Sequence, residues 1–276
     1  MKKQTLSDKE LLRYSRNIVL KEIGIDGQLK LMNSSVLVIG AGGLGSPACL
    51  YLAAAGTGTI GIADFDIVDL SNLQRQIIHF TKDTGTSKVI SAKEKINQLN
   101  PGIDVRTYNL KLDYLNIREI VRNYDFIIDA TDGIDQKLLI NDACLLENKP
   151  FCHCGILGFA GQIMTVIPHK TTCLRCIITE NPDASDMPSC SSYGILGSVA
   201  GIAGSIQATE AIKFITESGT LMTDGLLTFD LKDMQFRKIP INRNPECRIC
   251  GEHSEIKELS NITTELCDFK NNGGNK

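Results

Sequence analysis

Ten cysteines are spread along 276 residues, and four of them form two C-x-x-C pairs, Cys173-Leu-Arg-Cys176 and Cys247-Arg-Ile-Cys250. Each pair can present two thiolates to one metal ion. Four thiolates in a tetrahedron are what zinc takes in a closed structural site. The 70 residues between the pairs are too many for a zinc ribbon but harmless if folding brings the two ends together. Redox-active dithiols are the alternative, because an arginine within each pair favours the thiolate in either role.

A second chemical signal is Val36-Leu-Val-Ile-Gly40-Ala-Gly42-Gly43-Leu-Gly45-Ser-Pro47. Its apolar start reads as a strand buried on both faces. Gly40, Gly42 and Gly45 then allow a tight turn and close approach of the backbone to a phosphate, with the amides of a following helix start as the anion-binding end. Many doubly wound domains carry this G-x-G-x-x-G pattern, and some such turns bind nothing. Asp64 follows 19 residues after Gly45, at the end of Thr59-Ile-Gly-Ile-Ala-Asp64, where an acid receives ribose hydroxyls. Beyond it, Asp66 to Phe80 is an irregular polar stretch from which Arg75 can reach a phosphate. Lys88 opens the next helix, where a cation opposes the helix dipole, so it either has no role or shares its place with an anion.

The elements that must position these residues follow from periodicity. Ser7 to Leu31 reads as one helix with Leu11, Leu12, Ser15, Ile18 and Val19 on its stripe and a Ser7/Glu10 capping box. Arg13 and Arg16, three apart, are neighbours on it, and spacing alone makes them a solvated face. Helices are expected over Pro47 to Ala55, Thr86 to Leu99 (with Val89, Ala92, Ile96 and Leu99 inward), Leu115 to Arg122 and Lys137 to Glu147. Strands are expected at Asp104 to Asn109, Asp125 to Asp129 and Phe151 to Cys154. The alternation implies an α/β fold with a parallel sheet and puts Asp132 near the glycine turn. Gln162 to Ile167 is a further strand, and Gly155 to Gly161 before it is expected as a loop over the site. Cys152 and Cys154 share one strand face and read as buried small hydrophobes. Asn181 to Ser192, which contains Cys190, reads as a proline-punctuated mobile segment. The Gly-, Ala- and Ser-rich helix Ile195 to Ile215 is expected to pack tightly, against another chain for instance. Leu226 to Asp230 and Gln235 to Ile239 close the β-rich C-terminal part. This gives a helical segment at residues 1–31, one domain at 32–251 and a polar tail at 252–276.

A formal net charge of −3 without basic clusters excludes an obvious nucleic-acid surface. No window approaches a membrane span and the first residues lack a signal-peptide core, so a cytoplasmic address with reduced cysteines is expected.

Taken together, the glycine turn, Asp64, Asp-Phe-Asp66-Ile-Val-Asp-Leu-Ser-Asn72-Leu-Gln-Arg75-Gln, Lys88, Thr131-Asp132 and the two cysteine pairs resemble the ThiF/MoeB/HesA family, relatives of the ubiquitin-activating enzymes. The resemblance runs from about Leu6 to Gly251. It implies a Rossmann-like nucleotide-binding fold with a largely parallel sheet and a C-terminal four-cysteine zinc site at Cys173, Cys176, Cys247 and Cys250. The implied reaction is ATP-dependent adenylation of the C-terminal Gly-Gly carboxylate of a small ubiquitin-like sulfur carrier, releasing pyrophosphate, for thiamin or molybdopterin sulfur transfer. By the same resemblance Gly40, Gly42, Gly43, Gly45, Asp64, Asp66 and Asn72 bind the nucleotide, Arg75 and Lys88 supply charge, and Asp132 holds Mg²⁺. Arg16 reaches into the neighbouring subunit of a homodimer, and Cys190 occupies the place of a cysteine that some members link covalently to the carrier.

Two departures stand out. Gly133 and Lys137 replace the usual asparagine and arginine, keeping the charge at 137 but not the bidentate fork. No sulfur-transfer domain is expected after the second cysteine pair, which implies a separate donor such as a cysteine desulfurase. Two rivals share parts of the pattern: an NAD-dependent oxidoreductase, through the glycine turn and Asp64, and an inactive zinc-containing scaffold.

Overall fold

Apolar runs too short for helices pair side by side into one sheet. In the computed structural model, which describes residues 3–179 and 193–260, β1 (Ser35–Ile39), β2 (Thr59–Ala63), β3 (Asp104–Tyr108), β4 (Phe126–Asp129) and β5 (Phe151–Leu157) run parallel in the order β3-β2-β1-β4-β5. β6 (Ala160–Val166), β7 (Gly225–Asp230) and β8 (Gln235–Pro240) extend the same sheet as an antiparallel meander. The chain winds outwards from β1 to β3 and then returns to place β4 on the other side of β1. Between β1 and β4 the connections leave in opposite directions, which opens a crevice beyond the strand tips.

Strand residues alternate between faces, and here both faces are covered. Val36, Val38, Ile60, Ile62 and Phe126 pack under α4 (Gly45–Ala55), α5 (Lys88–Leu99) and α9 (Gly197–Thr216). Leu37, Ile39, Ile127 and Phe151 pack under α6 (Ile117–Val121), α7 (Ile134–Leu146) and α8 (Leu174–Ile177). Burying each such side chain contributes about 1.5–3 kcal/mol.

The N-terminal segment departs from the expected single helix. It forms α1 (Asp8–Arg13), α2 (Ser15–Ile18) and α3 (Gly24–Met32). The cause is Tyr14: its ring lies against Gly56, where any Cβ would come 2.6 Å from the ring, and its hydroxyl accepts from Asn100 Nδ2 at 2.9 Å. Burying that ring turns the chain, and the expected apolar stripe is left outside, with Leu12 79% and Val19 69% exposed. The Ser7/Glu10 box is present, the Ser7 amide donating to Glu10 Oε2 at 2.9 Å. On α5, Val89, Ala92 and Ile96 are buried as expected but Leu99, at its end, is exposed. Gly155 to Gly161 is not a loop over the site: β5 and β6 pair as far as Leu157–Ala160, leaving only a tight turn at Gly158. Cys152 and Cys154 are fully buried, and burial pushes the Cys154 thiol up to about 12.

Ala200, Ala203, Gly204, Ala208 and Ala211 of α9 are buried in this chain's own core, while Gly201 faces open space. Gly204 lies so close to α4 that a Cβ there would collide with the Leu44 carbonyl oxygen and come 2.6 Å from Pro47 Cγ. Because the obstacle is backbone, Gly204→Ala is expected to cost about 1–3 kcal/mol, measured as the loss of unfolding free energy in urea. An unchanged midpoint would mean that the two helices are free to separate.

Candidate functional site

The crevice at the β1/β4 switch holds a cavity of about 850 Å³. Gly40, Gly42, Gly43, Asp64, Asp66, Arg75, Lys88 and Asp132 all line it. Gly40 (φ +100°) makes the sharp exit from β1, and a Cβ there would lie 2.6 Å from the Ala130 carbonyl oxygen. A Cβ on Gly45 would collide with the Gly40 carbonyl, so Gly45 lets α4 start tight against the turn rather than lining the cavity. Above Gly42 nothing comes closer than Gln76 Nε2, 3.7 Å from where a Cβ would be. The amides of Gly42 and Gly43 have no hydrogen-bond acceptor among the described residues. Unpaired amides lining a cavity are a cradle for an anion. Gln76 adds a side chain 4% exposed whose Oε1 has no partner there either.

Asp64 ends β2 with both oxygens on backbone amides, Oδ2 accepting from Ala41 at 2.7 Å and Oδ1 from Asp66 at 2.8 Å. The carboxylate is thereby fixed in direction while its remaining lone pairs stay free for hydroxyl donors. The anion that offsets Lys88 at the start of α5 is Asp66, 2.8 Å from its Nζ. Lys88 is buried and Asp66 half-exposed, so the pair offers one firmly placed cation whose charge is shared. Arg75 projects along Gly43 and donates to the Ser71 carbonyl at 3.1 Å. Asp132 is exposed on the opposite rim. Asn72 does not line the cavity; it braces the turn before Arg75, accepting from the Asp69 amide at 3.3 Å. Arg16 is exposed and outside the cavity, while Arg13 donates to the Leu99 carbonyl at 3.0 Å. Cys190 lies outside the described residues.

Folding does bring the cysteine pairs together. The sulfur of Cys173 lies 3.9, 3.7 and 3.5 Å from those of Cys176, Cys247 and Cys250, and Cys176 and Cys250 are 3.5 Å apart; all four sulfurs lie within 4.8 Å of one another. A tetrahedron with Zn–S near 2.3 Å needs sulfurs about 3.8 Å apart, so the donor set fits zinc. Arg175 is spent on the fold: its guanidinium grips the buried Asp142 of α7, with Nε 2.7 Å from Oδ1 and Nη2 2.7 Å from Oδ2.

The ThiF family model matches residues 14–249. The chain belongs to the ThiF family. It is 42% identical to the SAMP-activating enzyme E1 of Haloferax volcanii over 248 residues, covering 90% of this chain and 92% of that one. It is 44% identical to the probable adenylyltransferase/sulfurtransferase MoeZ of Mycobacterium tuberculosis, covering 94% of this chain and 67% of that one. Against the adenylyltransferase and sulfurtransferase MOCS3 of Culex quinquefasciatus it is 40% identical, covering 96% of itself but 60% of that relative's length. Among solved structures, that of E. coli MccB with ATP superposes with a TM-score of 0.76 at 25% identity, covering 87% of this chain and 74% of that one.

What motif reading missed in this ThiF-family chain lies just under the cavity. Asp129, the fully buried last residue of β4, accepts from His153 Nδ1 at 2.8 Å, from Thr131 Oγ1 at 2.7 Å and from Lys137 Nζ at 3.4 Å. Lys137 also donates to the carbonyls of Thr131 and Cys154 at 2.7 and 2.6 Å, so its ammonium anchors the strand tip that carries Asp132. Three donors directed at three acceptors suit a compact ammonium better than a planar fork. One signal was available: Asp129 and His153 are register partners on adjacent parallel strands, and both interrupt apolar runs.

Two outcomes follow for this layer. The purified chain should carry close to one zinc, and Cys250→Ser should lose it; under about 0.2 zinc per chain in fresh protein would count against the site. Asp129 is held down to about 2: burial alone would raise it, but the Lys137 charge and the His153 bond outweigh that. A carboxyl with a depressed native pKa stabilises above its unfolded value, near 3.8, and the gain disappears as pH falls towards 2. Asp129→Asn should therefore cost on the order of 2 kcal/mol or more at pH 7 and progressively less below pH 4, by urea unfolding at each pH.

Proposed function

We propose that this chain, an adenylyltransferase of the ThiF family, activates the C-terminal Gly-Gly carboxylate of a small ubiquitin-like sulfur carrier as an acyl-adenylate. The observation that carries the reading is the pair of unpartnered amides at Gly42 and Gly43, facing a cavity whose rim also holds Asp64, Arg75, Lys88 and Asp132. ATP places its ribose against Asp64 and its phosphates over the glycine turn. The carrier carboxylate attacks the α-phosphorus, a P–O bond forms, and the bond from that phosphorus to the bridging oxygen breaks with both electrons leaving on pyrophosphate. Negative charge grows on the phosphoryl oxygens, and the Gly42 and Gly43 amides, Arg75 and Lys88 are the groups placed to offset it. Mg²⁺, for which Asp132 is an exposed carboxylate on the rim, would supply further positive charge when bound.

Arg16 belongs to the same reading as a residue that completes the site of a second copy. It is exposed, its side chain has no hydrogen-bond or ion-pair partner among the described residues, and Leu12 and Val19 near it in the chain are uncovered as well. Relatives named for SAMP activation and for MOCS3 and MoeZ support the class of carrier; thiamin and molybdopterin pathways are the two destinations that class implies. A nicotinamide oxidoreductase has no use for Arg75, Asp132 or the cysteine cluster.

ATP–pyrophosphate exchange tests the proposal. Exchange should appear only when a carrier ending in Gly-Gly is supplied, and a panel of such carriers identifies the partner. Asp132→Ala and Arg75→Ala should each lower the exchange rate about 100-fold or more. Silence across a broad panel would leave a zinc-bearing scaffold instead.

A further inference from the structure

Ala41 is clamped at both ends. Its amide donates to Asp64 Oδ2 at 2.7 Å, and its carbonyl oxygen lies 3.0 Å from His79 Nε2. The carbonyl can only accept, so Nε2 carries a proton whatever the charge of the ring. Nδ1 faces Ser91 Oγ at 2.8 Å. Burial pushes the imidazole pKa down and the Lys88 charge adds to this, outweighing the Ala41 hydrogen bond and the charges of Asp64 and Asp83, which raise it. Ser91 donates its own proton onward, to Asp83 Oδ2 at 3.0 Å, while Nε2 of the ring donates to the Ala41 carbonyl. Behind Ser91 stands Asp83, held at Oδ2 by Lys95 at 2.7 Å and by the Phe80 amide at 2.8 Å. His79, Ser91, Asp83 and Lys95 are each at most 5% exposed.

This buried chain of contacts ends on one peptide plane. The Ala41 carbonyl and the Gly42 amide belong to the same trans peptide, in which C=O and N–H point in opposite directions. Holding the carbonyl down towards His79 therefore turns the Gly42 N–H the other way, and Gly42 lines the cavity. Such restraint has a purpose at a glycine. With no Cβ at 42, that peptide can rotate about Ala41 ψ and Gly42 φ at little steric cost. The rotated form would present a carbonyl oxygen to the phosphates.

We propose that His79 is a positioning residue for the nucleotide: by fixing the Ala41 carbonyl it keeps the Gly42 N–H directed at a phosphate. The inference rests on the nucleotide reading of the cavity given above. It adds to that reading a residue that never touches the ligand, and assigns a purpose to the His79–Ser91–Asp83–Lys95 chain.

The test compares ATP with adenosine, titrated by calorimetry into the full chain. Both engage Asp64, but only ATP offers a phosphate to Gly42. His79→Phe should weaken ATP binding roughly tenfold or more, as loss of a hydrogen bond to a charged group does, while adenosine binding stays within about twofold. His79→Gln, whose side-chain amide can donate from near the Nε2 position, should recover most of the ATP affinity. A folded His79→Phe that binds ATP normally, or that loses ATP and adenosine alike, overturns the role. A measurement on the unaltered chain does not depend on how the variants fold: the ¹⁵N–¹H resonance of Gly42 should move with ATP and not with adenosine, and a resonance indifferent to ATP refutes the proposal. Failure of the unaltered chain to bind ATP at all would remove the nucleotide reading itself.

Discussion

No methyl group fits between the turn after β1 and the layers on either side of it. Gly45 closes on the Gly40 carbonyl, Gly40 on the carbonyl of Ala130, and Gly204 of α9 on the Leu44 carbonyl. These three contacts are backbone against backbone, so no side-chain rearrangement can relieve them. They bring α4, the β4 tip and α9 to one point, and the turn they hold leaves its outer side, at Gly42, with nothing closer than Gln76 Nε2 and open to the cavity. A core of this density makes the cavity wall rigid before any ligand arrives.

Electrostatics is built outward from that point. Two buried networks flank the turn: Lys137 and His153 on Asp129 beneath the β4 tip, and Lys95 on Asp83, reaching the turn through Ser91 and His79. Each pairs a lysine with a carboxylate, so neither leaves an uncompensated charge in the interior. The groups left for chemistry are those that the fold does not consume. Among the described residues Arg75 keeps most of its donors, Asp132 is exposed, and the amides of Gly42 and Gly43 are unpaired. Lys88 is intermediate, buried at the cavity with Asp66 as its partner.

The cysteine cluster works at a different scale. It ties the segment after β8 to α8, and α8 in turn is fixed to α7 through the Arg175–Asp142 fork and the Asn141 side chain, which accepts from the Leu174 amide. α7 begins next to Asp132. Cysteine cluster and cavity are thereby joined through one helix, although no cysteine among the described residues lines the cavity.

Strand identities, the strand-tip acid Asp64, the glycine turn and the four-cysteine set could all be read from residue type and spacing. Each depends on a local rule: period-two burial, the φ that glycine alone adopts cheaply, or knuckle spacing. The long polar motif around Arg75 carried the family for the same reason, being contiguous in the chain. What only the tertiary structure decided depends on which distant residues meet. The expected N-terminal helix broke because Tyr14 finds Gly56 and Asn100, more than 40 residues away. Sequence leaves Lys88 either without a role or beside an anion, and only the fold brings Asp66 to it; likewise only the fold shows the Asn72 side chain bracing a turn. Arg175, Lys137 and His79 carry the same lesson: each charge or ring is committed by a partner on another element. A sequence displays the donors and acceptors that a chain possesses. Packing alone determines which of them remain unsatisfied, and therefore available for chemistry.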